Sequence, residues 1–131
     1  LINRADRCFR WGLFDRDPMP RWSDGRITLL GDACHPMLPF MAQGAVMSIE
    51  DGYVLSRCVA EGTRRGRPLE DSFTAYETFR RERTAEVQAM SRRNMTLFHD
   101  VDNAEEEKLS GHRSAHEWLY GYDPTKFDYA A

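Results

Sequence analysis

The residues best suited to do chemistry lie in one stretch, GDACHPMLPFMAQG, from Gly31 to Gly44. It follows Arg26 to Leu30 (RITLL), a short apolar, β-branched run after a Ser23, Asp24, Gly25 turn, which predicts a buried strand. A strand ending at Gly31 and Asp32 puts a short carboxylate at the carboxyl edge of a sheet, where open α/β folds bind ligands. Two prolines and two glycines make the stretch an ordered loop, and its apolar content buries it. Ala45 to Ala60 then lacks proline, and Val46, Ile49, Tyr53 and Val54 recur at helical steps, so a helix should begin near Gly44. Its first N–H groups, at Gly44, Ala45 and Val46, have no partners within the helix and sit at the positive end of its dipole. They suit an anion or a developing negative charge. These positions imply a hydroxyl-bearing ligand near Asp32 and an electron-rich group near residues 43 to 46. Cys34 and His35 are adjacent, with no third ligand at a suitable spacing, so neither a metal site nor a nucleophile is expected there. Asp51 reads as part of the helix's polar side or a brace to the sheet, and His35 as a candidate general base.

The elements that must position this loop follow from the remaining pattern. Cys8 to Phe14 alternates like a strand until Asp15, Arg16, Asp17, Pro18 and Pro20 break it. Gly62 is expected to end the first helix, and TRRGRP (63–68) forms a basic connector. Leu69, Phe73, Tyr76, Phe79, Arg83, Val87 and Met90 form one stripe, which predicts a second helix running to about His99, with that stripe in the core. Asp100 to Lys108 is acidic and reads as a solvated break. Trp118, Leu119, Tyr120, Tyr122, Phe127 and Tyr129 form an aromatic tail expected to dock onto another surface, with a lid or a homodimer contact as alternatives.

Composition limits the rest. A chain of 131 residues with 41% hydrophobic and 30% charged residues fits one ordinary globular domain, not two. No apolar run approaches the length of a membrane span, so no membrane partner is expected. Residues 1 to 99 hold fifteen arginines against thirteen acidic residues, and residues 100 to 131 hold three basic against eight acidic, so neither part has the basic excess of a nucleic-acid binder. Three cysteines, Cys8, Cys34 and Cys58, match no zinc or redox spacing and favour free thiols in a reducing, cytoplasmic setting. The first residue, Leu1, reads as lying in mid-element, which suggests a chain cut from a longer one.

GRITLLGDACHPMLPFMAQGAVMSIEDGYVL resembles the second flavin-binding motif of the FAD-dependent, single-component aromatic hydroxylases, the salicylate-hydroxylase-like monooxygenases. In that family a strand leads to Gly-Asp-Ala-x-His, a proline-rich loop, Gly-Gln-Gly and a helix carrying Glu-Asp-Ala. Gly31, Asp32, Ala33, His35, Pro36, Pro39, Gln43, Gly44, Glu50 and Asp51 match it. Ala42 and Gly52 depart from it, each to another small residue, and the resemblance implies that His35 is loop scaffold rather than a general base. HEWLYGYD is similar to the terminal segment of the salicylate and hydroxynicotinate hydroxylase branch. The resemblance implies an α/β fold, the C-terminal part of a Rossmann-like FAD-binding fold: strand, Gly-Asp loop, helix, long helix, then a helical and aromatic tail. By that resemblance residues 1–22 would end a substrate-domain sheet and return to the flavin domain, 23–62 would bind flavin, and 63–131 would form a C-terminal helical region. FAD would be the cofactor, NAD(P)H the co-substrate, and a small aromatic molecule and O2 the substrates. Cofactor-binding residues would be Gly31, Asp32, Pro39, Gln43, Gly44, Ala45 and Val46: Asp32 on a ribityl hydroxyl, Pro39 beside the ring, and the 44–46 amides at its pyrimidine edge. No GxGxxG occurs in this chain. The catalytic base is expected upstream, and these residues alone are expected to be inactive. The alternatives are a flavin-dependent epoxidase or N-hydroxylase and a non-enzymatic helical binding module.

Overall fold

A computed structural model describes residues 6–99 and 117–129 of the chain. Two helices carry the architecture, α1 over Gly44–Arg64 and α2 over Leu69–His99. A two-stranded hairpin precedes them, β1 (Ser23–Asp24) antiparallel to β2 (Ile27–Thr28). Gly25, at φ 54°, turns it. The expected strand over Arg26 to Leu30 is therefore cut to two residues, and Ile27 stands in solvent instead of being buried. A strand buries both faces only when paired and covered, and among the described residues β1 is its single partner. For the same reason Cys8 to Phe14 forms no strand, and Phe9, Trp11, Leu13 and Phe14 are exposed.

Helix α1 starts where the sequence predicts but continues past Gly62. Its stop is a Schellman turn: Gly66, at φ 65°, donates to Thr63 O, and Arg67 N–H donates to Gly62 O. Gly62 has another reason to be glycine, since a Cβ there would meet Ser72 Oγ of α2 at 2.1 Å. Close approach of the two helices therefore requires the missing side chain. The apolar residues that mark the helix are not all on its buried face. Met47, Asp51, Val54, Cys58 and Gly62 point inward, while Val46, Ile49 and Tyr53 are exposed. Apolar spacing alone does not mark this inward face, because it carries a carboxylate.

Helix α2 runs the predicted length, and Phe73, Tyr76, Val87 and Met90 of its stripe are buried. One core cluster joins Trp22, Cys34, Val54, Cys58, Tyr76 and Tyr129, and a second joins Met47, Val87 and Leu119. Leu119 and Tyr129 thus bring the tail into both. Each such side chain contributes about 1.5–3 kcal/mol by leaving water. Phe79 and Phe127 stack at 5.7 Å. The acidic segment from Asp100 to Lys108 lies outside the described residues. Among the described residues no helix is long and apolar enough to cross a membrane.

Candidate functional site

Two short 3-10 turns, Gly31–Ala33 and Pro39–Met41, shape the loop between β2 and α1. Gly31 has φ 61°, and a Cβ on it would meet Ser48 Oγ at 2.7 Å, so both conformation and space demand glycine. Its carbonyl accepts the N–H groups of Cys34 and His35, both at 2.9 Å, and its N–H donates to Asp51 Oδ2 at 3.0 Å. This winding throws the Asp32 side chain outward, with its Oδ1 3.9 Å from the place a Cβ on Gly44 would take. The carboxylate therefore lies beside the first residue of α1. At that helix start Gln43 makes no side-chain cap, and the first intrahelical bond runs from Met47 N–H to Gln43 O. The amides of Gly44, Ala45 and Val46 are left without intrahelical partners, as the sequence implied.

Beneath the loop lies a polar hub that spacing did not reveal. Asp51, fully buried, accepts from Gly31 N–H, from His35 Nε2 at 2.6 Å and from Arg80 Nε at 2.7 Å. Burial pushes the Asp51 carboxyl up, but the hydrogen bonds from His35 and Arg80 outweigh it and hold it below the ordinary carboxylate range. Arg80 is buried too, and its other nitrogens reach Glu50 Oε2 at 2.7 Å, Tyr122 Oη at 3.0 Å and Met47 O at 3.3 Å. Arg83 grips Glu50 with two bonds of 2.8 and 2.9 Å and donates to Leu119 O at 3.0 Å. Its guanidinium lies 3.7 Å from the Tyr122 ring centre and 4.9 Å from that of Trp118.

The fold also supplies the third group that spacing did not show beside Cys34 and His35. Ligand atoms of Cys34, His35 and Asp51 lie within 4.8 Å of one another. Chemistry argues against an ion at this point. Burial pushes the Cys34 thiol up to about 12, its Sγ donates to Gly31 O, and the Asp51 oxygens are already engaged by a guanidinium, an imidazole and an amide.

Helix α2 fixes the loop's far half. Gln88 donates to Pro36 O at 2.8 Å, Ser91 to Leu38 O, and Asn94 to Phe40 O at 3.2 Å. Three side chains at three-residue steps thus hold alternate carbonyls, leaving Pro39 exposed. That polar spacing on α2 was a readable signal and was missed in favour of the apolar stripe. Ala42 takes a left-handed φ of 52°, the conformation for which the family pattern uses glycine. Gln43 is buried and donates to Tyr120 Oη of the tail at 3.4 Å. Of the expected site residues the structure sets Asp32 beside Gly44; Asp32, Pro39, Ala45 and Val46 are exposed, Gly44 is half-buried, and Gly31 and Gln43 are buried.

Residues 10–93 match the family described as FAD binding domain. The chain belongs to that family. Within it, this FAD binding domain chain is 43% identical over 123 residues to the 6-hydroxynicotinate 3-monooxygenase of Pseudomonas fluorescens, covering 94% of this chain and 28% of that protein. It is 48% identical over 92 residues to 3-hydroxybenzoate 6-hydroxylase 1 of Aquipseudomonas alcaligenes, covering 70% of this chain and 22% of that protein. Among solved structures, a salicylate hydroxylase substrate complex superimposes with a TM-score of 0.73 and 30% identity, over 88% of this chain and 29% of that one. The chain spans less than a third of the length of these relatives. The fold is that of a partial α/β FAD-binding region.

Proposed function

We propose that this chain is the FAD-binding portion of a flavoprotein monooxygenase that hydroxylates a phenol-like or salicylate-like aromatic substrate with NAD(P)H and O2. One observation carries the reading: the outward Asp32 carboxylate stands beside the bare Cα of Gly44 at the uncapped start of α1. A carboxylate accepts from a polyol hydroxyl, and free amides at a helix N-terminus donate to an oxygen-rich ring edge, so acceptor and donors fit the two halves of a flavin's ribityl and isoalloxazine groups. When bound, FAD supplies the redox chemistry, taking electrons from NAD(P)H and activating O2. In this reading Asp32 holds a ribityl hydroxyl, the amides of Gly44, Ala45 and Val46 hold negative charge at the pyrimidine edge, and Pro39 packs beside the ring. Gly31 and Gln43 position these groups from below. The relatives' names, a hydroxynicotinate monooxygenase and a hydroxybenzoate hydroxylase, support an aromatic substrate already carrying a hydroxyl group. The three unpaired cysteines favour a cytoplasmic location.

The test is flavin retention. In the full-length protein, Asp32→Ala should lower the flavin-to-protein absorbance ratio after desalting, with Asp32→Asn intermediate. A ratio equal to that of the unaltered protein overturns the assignment.

A further inference from the structure

Residues 36–40 carry little that can secure a backbone. Pro36 and Pro39 have no N–H, and Leu38, extended at φ -66° and ψ 150°, lies outside any helix or strand. Such a segment is held through its carbonyls. Pro39 O accepts Ala42 N–H at 3.0 Å inside its own turn, and the carbonyls of Pro36, Leu38 and Phe40 are taken by Gln88, Ser91 and Asn94 of α2. Ser91 has no exposed surface and Leu38 is buried with it, while Pro39, between two gripped carbonyls, is exposed. A buried hydroxyl and the carbonyl it satisfies cannot part without leaving both unpaired.

The same helix holds the other half of the loop. Arg80 donates to Asp51, which accepts Gly31 N–H just ahead of Asp32, and to Met47 O in the first turn of α1. About three turns of α2, roughly 16 Å, separate Arg80 from Ser91. A continuous helix keeps that spacing better than the irregular backbone between Cys34 and Leu38, because each of its turns is hydrogen-bonded to the next. The placement of Asp32 and the α1 amides relative to Pro39 is therefore set by α2.

We infer that Ser91 and Asn94 are positioning residues of the flavin site, which fix Pro39 beside the isoalloxazine ring at a set distance from Asp32. The inference rests on the proposed function, in which Asp32 takes the ribityl chain and Pro39 lies beside the ring. Ser91, without accessible surface, acts through the loop alone. It bears the larger share, since its bond to Leu38 O is buried, whereas Asn94 is half-buried and water can replace it at Phe40 O.

The experiment uses the full-length protein carrying FAD and reads the visible circular dichroism of the bound flavin. The ring system is achiral and gains most of these bands from fixed, asymmetric surroundings, so a loosened wall lowers them. Ser91→Ala should keep the FAD dissociation constant within about threefold of the unaltered value, because Asp32 and the α1 amides are untouched, yet lose much of the band amplitude. Asn94→Leu should do the same to a smaller extent. Thr84→Ala removes another buried α2 hydroxyl, one bonded back to Arg80 O and Arg81 O, and controls for lost helix stability. Its bands should be unchanged. Full amplitude in Ser91→Ala overturns the inference, as do equal losses in Ser91→Ala and Thr84→Ala. If Asp32→Ala loses flavin while Ser91→Ala keeps full bands, this inference alone falls; if Asp32→Ala retains its flavin, the proposed function falls and this inference with it. Should Ser91→Ala not fold, the comparison of Asn94→Leu with Thr84→Ala decides.

Discussion

On the inner side of the Gly31–Gly44 loop, Asp51 receives three donors from the chain itself, whereas on the outer side the Asp32 carboxylate is exposed and three helix-start amides have no intrahelical partner. Each side has a carboxylate tied to Gly31, Asp32 as the next residue and Asp51 by accepting its N–H. The inner carboxylate is matched by a buried guanidinium and fixes the shape of the turn. The outer one is available to something that is not part of the fold. The same residue type thus serves stability on one side and, in the proposed function, recognition on the other, and substitutions should separate the two.

The largest effect is expected at Arg80. Arg80→Met would leave Asp51 buried without its cation, which costs about 3–5 kcal/mol, read as unfolding free energy of the full-length protein in urea. A loss below about 1 kcal/mol would break the distinction, because the inner carboxylate would then be no more structural than the outer. Gly31→Ala adds a Cβ 2.7 Å from Ser48 Oγ at a positive φ and should cost about 2–3 kcal/mol. Combining it with Ser48→Gly should recover the steric part and leave the conformational part, visible as two separate increments in thermal unfolding.

Acid should act on the inner side next. The Asp51 carboxyl is held below its ordinary range, so its contribution is fully present above the unfolded value of about 3.9 and is lost as pH falls through the lower folded value. Unfolding free energy measured below about pH 4 should therefore fall more steeply in the unaltered protein than in Asp51→Asn. Asp32→Ala, on the outer side, should leave the apoprotein's unfolding free energy within about 0.5 kcal/mol while flavin retention drops. A comparable loss of stability would assign Asp32 to the scaffold. The smallest effect is expected at Ala42, whose left-handed backbone favours glycine. Ala42→Gly should stabilise by about 0.5 kcal/mol, the relief of strain exceeding the added freedom of the unfolded chain.

Much of the outer side was legible in the sequence, because it depends on order along the chain. A glycine, an aspartate, a proline-bearing loop and a glycine-led helix occur in succession, and local geometry sets the aspartate beside the first residue of the helix. Helix α2 was legible to its last residue for a similar reason, a long stripe of regular period. The inner side was not. Asp51 lies 16 residues from His35 and 29 from Arg80, and no local rule joins them. Hydropathy actively misled, for a carboxylate and an arginine that satisfy each other inside the core look like surface residues until their partners are known. The apolar period of Val46, Ile49 and Tyr53 showed the helix but not its inward face, on which Asp51 lies. The strand over Arg26 to Leu30 was overextended because strand length depends on lateral pairing, which one strand's sequence does not contain.

The grip of Arg83 on the tail has a consequence for the order of assembly. Its bond to Leu119 O closes a span of 36 residues, whereas α1 and α2 meet across a connector of a few residues between Arg64 and Leu69. Closing the longer span costs more chain entropy, and its reward, two ring contacts and one carbonyl, exists only once both helices have already set Arg83 against Glu50. Residues 117–129 are thus the last piece to join and the first to leave, and amide hydrogens there should exchange with solvent by a smaller opening than those of the helix pair.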